Sequence, residues 1–191
     1  MNGGRIPIPS TFSIVAADLQ AEEWGVAVQS RYFAVGAAVP HARAGVGALA
    51  TQAWFHPDHG RQGLELLSSG LPADGVIERL VAEEGATRDV RQVAVVDRMG
   101  SVAAWTGTEC VDWAGHQVGT HYCCQGNILA GPGVVPAMAT AFEESSGRLA
   151  DRMIAGLRAG QAAGGDRRGR QSAALLVVRN GSGFAGIGDR G

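Results

Sequence analysis

The chain has no long hydrophobic run. Its apolar stretches fall far short of the roughly 18–20 residues a membrane-spanning helix needs, so no span is expected. Residues 1–10, Met-Asn-Gly-Gly-Arg-Ile-Pro-Ile-Pro-Ser, lack the apolar centre of about 7–15 residues that marks a secretory signal. Charge is sparse at 18%, with a formal net of −2 and a pI near 6.2. Apart from Arg167-Arg168 with Arg170 there is no block of like charge, so no basic face for nucleic acid is expected. Cysteine is scarce and odd in number: Cys110, Cys123 and Cys124. Two adjacent thiols and a third, without a signal peptide, argue against a disulfide framework and for a reducing cytoplasm. Aromatics are few, with two Tyr and five Phe, so Ala, Val and Leu must fill most of the core.

What is present suits one globular domain: 191 residues, 46% of them hydrophobic, with 29 Gly for tight turns and close backbone approach. Thr11–Ala17 and Trp24–Arg31 read as strands joined in a hairpin, and Gly45–Ala53 as a third strand of small residues. Tyr32–Ala44, with Gly36 and Pro40, reads as a strand end and a turn. Gly60–Ser69 and Pro72–Glu84 carry helical periodicity, the second with Val76, Ile77, Leu80 and Val81 on one face. Val90–Val96 and Ser101–Thr106 flank Asp97-Arg98-Met99-Gly100, a hairpin signal. Tyr122–Ile128 is a strand or a loop. Val134–Glu144 and Leu149–Gln161 are helices, the latter with Leu149, Met153, Ile154 and Leu157 on one face, and Ser172–Arg179 is a buried strand. Strands, two helices, strands, two helices, strand: this order predicts an α+β layered fold with antiparallel sheets rather than βαβ repetition.

Four phrases carry a resemblance: TFSIVAAD (11–18), GVAVQSRYFAVGAAVPHARAGVGALATQA (25–53), QGNILAGP (125–132) and GGDRRGRQSAALLVVR (165–179). Over residues 11–180 the chain resembles the bacterial family DUF1028, a branch of the Ntn-hydrolase-like superfamily whose reaction is unassigned. The resemblance implies a four-layer αββα sandwich of two antiparallel sheets. It further implies hydrolysis of an amide bond by an N-terminal residue whose own α-amine is the base. Residues 1–10 would then be an N-terminal extension or propeptide ahead of a single domain at 11–191. The family pattern continues past Gly191, so a last C-terminal strand is expected to be lacking.

On that resemblance Thr11 is the nucleophile, and Ser30 and Arg31 lie beside it. Arg43 sits near the place where many relatives carry a Lys. Asp166 and Ser172 match the Asp and Ser that position the terminal amine. The chemistry is coherent. A Thr hydroxyl needs an adjacent base, and an α-amine with a pKa near 7.7–8.0 is substantially neutral at working pH. It also depends on Thr11 losing its preceding peptide bond, because an acylated nitrogen is no base. Otherwise Thr11 is a strand-edge hydroxyl without a catalytic role.

From the residues themselves, Gln125-Gly126-Asn127 before Gly131-Pro132-Gly133 offers two side-chain amides at a strand-to-helix passage. They can supply donors to a substrate carbonyl or oxyanion, or equally satisfy loop backbone. The arginines at 167–170 can bind a substrate carboxylate or phosphate, or simply line a solvated turn. His56-Pro57-Asp58-His59 brings two imidazoles and a carboxylate together, yet no further ligand appears at a standard spacing, and the segment reads as a turn-forming loop. No metal and no cofactor is therefore assigned. Cys123 and Cys124 read as small buried hydrophobes.

The expected function is an amidohydrolase acting on a small molecule, anionic or neutral. Two alternatives stand beside it: an enzyme of the same fold working without an N-terminal nucleophile (isomerase, cyclase or hydrolase), and a non-catalytic small-molecule binder. A homodimer or larger homo-oligomer is expected by analogy of fold.

Overall fold

Residues 11–18 alternate between two apolar faces and become β1 (Thr11–Asp18), whose hairpin partner is β2 (Glu23–Ser30). These and the elements that follow come from a computed structural model, which describes residues 11–182. The expectations for residues 1–10 and for a missing last strand lie outside the described residues. The chain continues through β3 (Pro40–Arg43), β4 (Gly47–Ala53), α1 (His59–Ser68), α2 (Ala73–Glu83), β5 (Arg91–Asp97), β6 (Val102–Thr106), β7 (Gly115–Gly119), β8 (Tyr122–Asn127), α3 (Val134–Glu144), α4 (Leu149–Ala162) and β9 (Ser172–Arg179). The fold is α+β, with two antiparallel sheets. One sheet has the order β7-β8-β1-β2-β9 and the other β3-β4-β5-β6.

Three apolar clusters order these layers. Phe12, Ile14 and Ala16 of β1 meet Met138, Phe142, Leu149 and Met153 of α3 and α4. Val15, Val26 and Val28 of the five-stranded sheet meet Ala48, Ala50, Ala94 and Val96 of the four-stranded one. Leu49, Val93 and Val95 pack under Val76, Ile77 and Leu80 of α2 and Leu67 of α1. One helix pair thus covers the far side of each sheet, and the sheets face one another. Burying side chains of this size stabilises the fold by about 1.5–3 kcal/mol each.

Two strands differ from the sequence expectation. β3 is four residues long and opens on Pro40, which an edge strand tolerates because its N–H is not needed there. β7 is a Gly-framed, half-exposed edge strand of low intrinsic preference, held by its pairing with β8. On α4, Ile154 is 36% exposed rather than part of the buried face. The face continues instead through Gly156 and Gly160; a Cβ at Gly160 would lie 2.6 Å from Met138 Cγ, so glycine lets α3 and α4 approach. Among the described residues no helix is long and apolar enough to cross a membrane.

Candidate active site

The layer between the sheets changes character along its length. On β1, Thr11 and Ser13 face the second sheet, in phase with Val15 and Ala17. Register sets Thr11 opposite Ser30 on one side and Asn127 on the other, and Ser13 opposite Gln125. The second sheet contributes Gln52 and Gln92, themselves paired in register. All seven of these polar side chains have 0% exposure.

They bond to one another. Thr11 Oγ1 lies 3.4 Å from Ser30 Oγ. Ser13 donates to Gln52 Oε1 at 2.7 Å, and Gln52 Nε2 donates to the Thr11 carbonyl at 3.2 Å and to Gln92 Oε1 at 2.8 Å. Asn127 Nδ2 donates to the same Gln92 oxygen at 3.1 Å. Gln92 Nε2 in turn reaches Thr106 Oγ1 and the Gly126 carbonyl, both at 2.9 Å. Gln125 Nε2 donates to the Ala50 carbonyl at 3.1 Å, while its Oε1 is buried without a partner. Bonds of this kind fix side chains in one geometry, because each broken bond strands a further buried polar group.

A loop after α4 closes this end of β1. Ala130 N–H donates to the Gly165 carbonyl and Arg167 N–H to the Ile128 carbonyl, while Gln171 N–H donates to the Ser30 carbonyl. β8 and β2 are the two neighbours of β1, so a loop bonded past the ends of both must cross in front of Thr11. Asp166, 4% exposed, holds it: its carboxylate accepts the Arg31 N–H and the Arg168 N–H, each at 2.9 Å, and pairs with the Arg168 guanidinium at 3.2 Å. Arg31 Nη1 donates back to the Arg168 carbonyl at 2.9 Å. Arg31 and Arg168 are thus tied into this loop, and Arg167 and Arg170, also exposed, add positive charge along it.

Backbone strain gathers here too. Ala53 follows Gln52 with φ 63°, and Ile128 follows Asn127 with φ 51°. For a β-branched side chain this left-handed conformation costs of order 1–3 kcal/mol and persists only where surrounding structure enforces it.

Of the residues expected from sequence, Thr11, Ser30, Gln125 and Asn127 come together in the buried layer, and Arg31 and Asp166 gather at its end. Ser172 lies opposite Ser30 in register, but its hydroxyl donates to the Tyr32 carbonyl and accepts the Val35 N–H, so it shapes the turn after β2. Arg43 is elsewhere. It pairs with Gly47, roughly 16 Å along β4 from Gln52, and binds the Ser68 hydroxyl. Ser13, Gln52 and Gln92 were not anticipated. Their signal was a polar residue at an inward-facing position of an otherwise apolar strand.

A cavity of about 570 Å³ lies at the opposite end of β1, lined by residues that include Asp18, Tyr122, Glu143 and Arg152. Tyr122 donates to Glu143 at 2.6 Å there, and burial raises the phenol's pKa. The one histidine and carboxylate group among the described residues with ligand-like spacing is His56, His59 and Glu84.

Against known proteins, the family model for a family of unknown function (DUF1028) matches residues 11–186. The chain belongs to DUF1028. The matched segment opens on Thr11, the first residue of the polar layer. A crystal structure of a protein from Silicibacter pomeroyi, attributed to the same family, shares 31% identity with this chain. It superposes with a TM-score of 0.84, over 90% of this chain and 74% of that one. No curated protein matches.

Proposed function

We propose that this DUF1028 protein is an amidohydrolase of N-terminal-nucleophile type, with an Ntn-hydrolase-like αββα sandwich, acting on a small anionic amide. The observation that carries the reading is the place of Thr11. It opens the central strand of the five-stranded sheet, turns its hydroxyl into the polar layer 3.4 Å from Ser30 Oγ, and begins the family's matched segment.

In this reading residues 1–10 are removed and the Thr11 α-amine is freed. Thr11 Oγ1 attacks the substrate carbonyl carbon and its proton passes to that amine. The carbon–nitrogen bond then breaks, the leaving amine takes the proton, and water hydrolyses the resulting Thr11 ester. Asn127 is the side-chain donor closest in register to the developing oxyanion; a preorganised donor contributes about 3–4 kcal/mol. Asp166 positions the Ser30–Arg31 backbone, and the arginines at this loop favour a substrate carboxylate.

Intact mass and turnover test it together. The reading expects a mature chain beginning at Thr11, active on amides of carboxylated amines and silenced by Thr11→Ala. A fully active uncleaved chain with a dispensable Thr11 overturns it.

One observation favours a second reading: Thr11 is fully buried and its neighbours are bonded to each other. In that case chemistry takes place at the loop's arginines without a free amine. Activity would then be present in uncleaved protein and lost in Arg31→Ala or Asp166→Asn. Binding of a carboxylated ligand without any product would mark a non-catalytic binder instead.

A further inference from the structure

The segment His56–His59 gains in three dimensions the partner its sequence lacks. Glu84, just past α2, brings its carboxylate to His59, with Oε1 2.8 Å from Nε2. One ligand atom from each of His56, His59 and Glu84 lies within 4.8 Å of the others. Metal–ligand bonds of about 2.0–2.2 Å hold donors roughly 3.3 Å apart around a tetrahedral ion. A closure of about 1.5 Å or less would therefore bring the three onto one centre, and the partly exposed His56 can supply most of it by rotating.

His59 is 3% exposed, and Glu84 Oε1 stands on the Nε2 side of its ring. An ion shared with that carboxylate takes Nε2 in place of the Nε2···Oε1 contact, with the ring proton on Nδ1. The carboxylate is also held from behind. Arg91 Nε and Nη2 bind Glu84 Oε2 at 2.8 and 2.6 Å, and Thr87 donates to the same oxygen, which leaves Oε1 aimed at the imidazole. Ligating carboxylates are ordinarily oriented by such outer partners.

We propose that His56, His59 and Glu84 form a binding site for a zinc-class divalent cation, with a fourth position open to water. Two imidazoles and one carboxylate suit Zn²⁺ or Co²⁺ rather than Mg²⁺ or Ca²⁺, which prefer all-oxygen shells. The Asp58 N–H contact to His56 Nδ1, at 3.2 Å, is the one bond the His56 ring gives up if that nitrogen ligates. Arg91 offsets the carboxylate's charge, so the affinity rests on the imidazoles. The bound ion would join the start of α1 to the end of α2 beside the Ala53–Arg91 end of the β4–β5 pair. It is independent of the Thr11 chemistry.

Co²⁺ titration of the full chain at neutral pH tests the site without any activity assay. The expected result is saturable uptake of one ion per chain, visible d–d absorption, displacement by Zn²⁺, and a rise in melting temperature reversed by a chelator. His56→Ala should weaken uptake at least tenfold, while His121→Asn should leave it unchanged. Glu84→Gln should weaken it by a smaller factor; if that buried substitution prevents folding, the His56 variant still decides. No saturable uptake, or equal uptake in His56→Ala, overturns the proposal.

Discussion

The two halves of the layer between the sheets are built on the same strands and share one depth of burial, yet they differ in chemistry. Toward one end β1, β2, β4, β5 and β8 present Val15, Val26, Ala48, Val96 and Cys123. Toward the other the same strands present Thr11, Ser30, Gln52, Gln92 and Asn127, all fully buried. The apolar half is stabilised simply by removing surface from water. The polar half contributes less, since each of its groups exchanges water for a protein partner at a net gain of about 1 kcal/mol. Five strands that switch together at one level indicate that the polar half is kept for something other than stability.

That contrast can be broken from either side. The largest effect expected is on turnover. On the amidohydrolase reading, Thr11→Ala in a chain beginning at Thr11 should lower kcat/KM by at least about 10³-fold, or about 4 kcal/mol of transition-state stabilisation, with an unchanged melting temperature. Next comes an amide carried into the apolar half: Val26→Asn should destabilise by about 3 kcal/mol, read as a lower urea midpoint, because nothing there can bond it. The reverse exchange is milder. Gln92→Leu removes the acceptor shared by Gln52 and Asn127 and the donor to Thr106, at about 2 kcal/mol, since the new side chain recovers some burial. A Gln92→Leu chain more stable than the parent would mean that the network is itself a cost.

A smaller effect follows from acid. His41, His59 and His116 all have their pKa lowered, in each case chiefly by burial. Below about pH 6.5 the unfolded chain takes protons that the folded one refuses, so stability falls as pH drops through the window below that value. The urea midpoint should be lower at about pH 5.5 than at about pH 7.5, and His41→Gln should flatten the difference. The slightest effect is on the thiols. Burial pushes Cys110 up to about 11 and Cys123 to about 12, and raises Cys124 as well. A thiol reagent should leave the folded protein nearly untouched and titrate all three free cysteines once it is unfolded.

The order of elements was legible because alternation and helical periodicity are local. Val134–Glu144 and Ser172–Arg179 match their expected bounds. β3 and β7 were not legible, since a short strand opening on proline and another framed by glycines exist only through their pairing. In the candidate site, Thr11, Ser30, Gln125 and Asn127 could be marked because they stand in or beside distinctive phrases. Gln52 and Gln92 could not, because each is a lone amide in its own strand and becomes central only when β4 pairs with β5 under β1. Arg43 was misplaced for the converse reason: position along a family pattern does not say which end of β4 its partner occupies. Glu84 has no sequence signal tying it to His59.

The aspartate at 166 has a practical consequence. Through one side chain it ties the strap after α4 to the end of β2, adding a buried charge to the backbone bonds that Ala130, Arg167 and Gln171 already make there. Removing that carboxylate would leave the Arg31 and Arg168 N–H groups without their acceptor, so Asp166→Ala should loosen residues 164–171 while the strands keep their register.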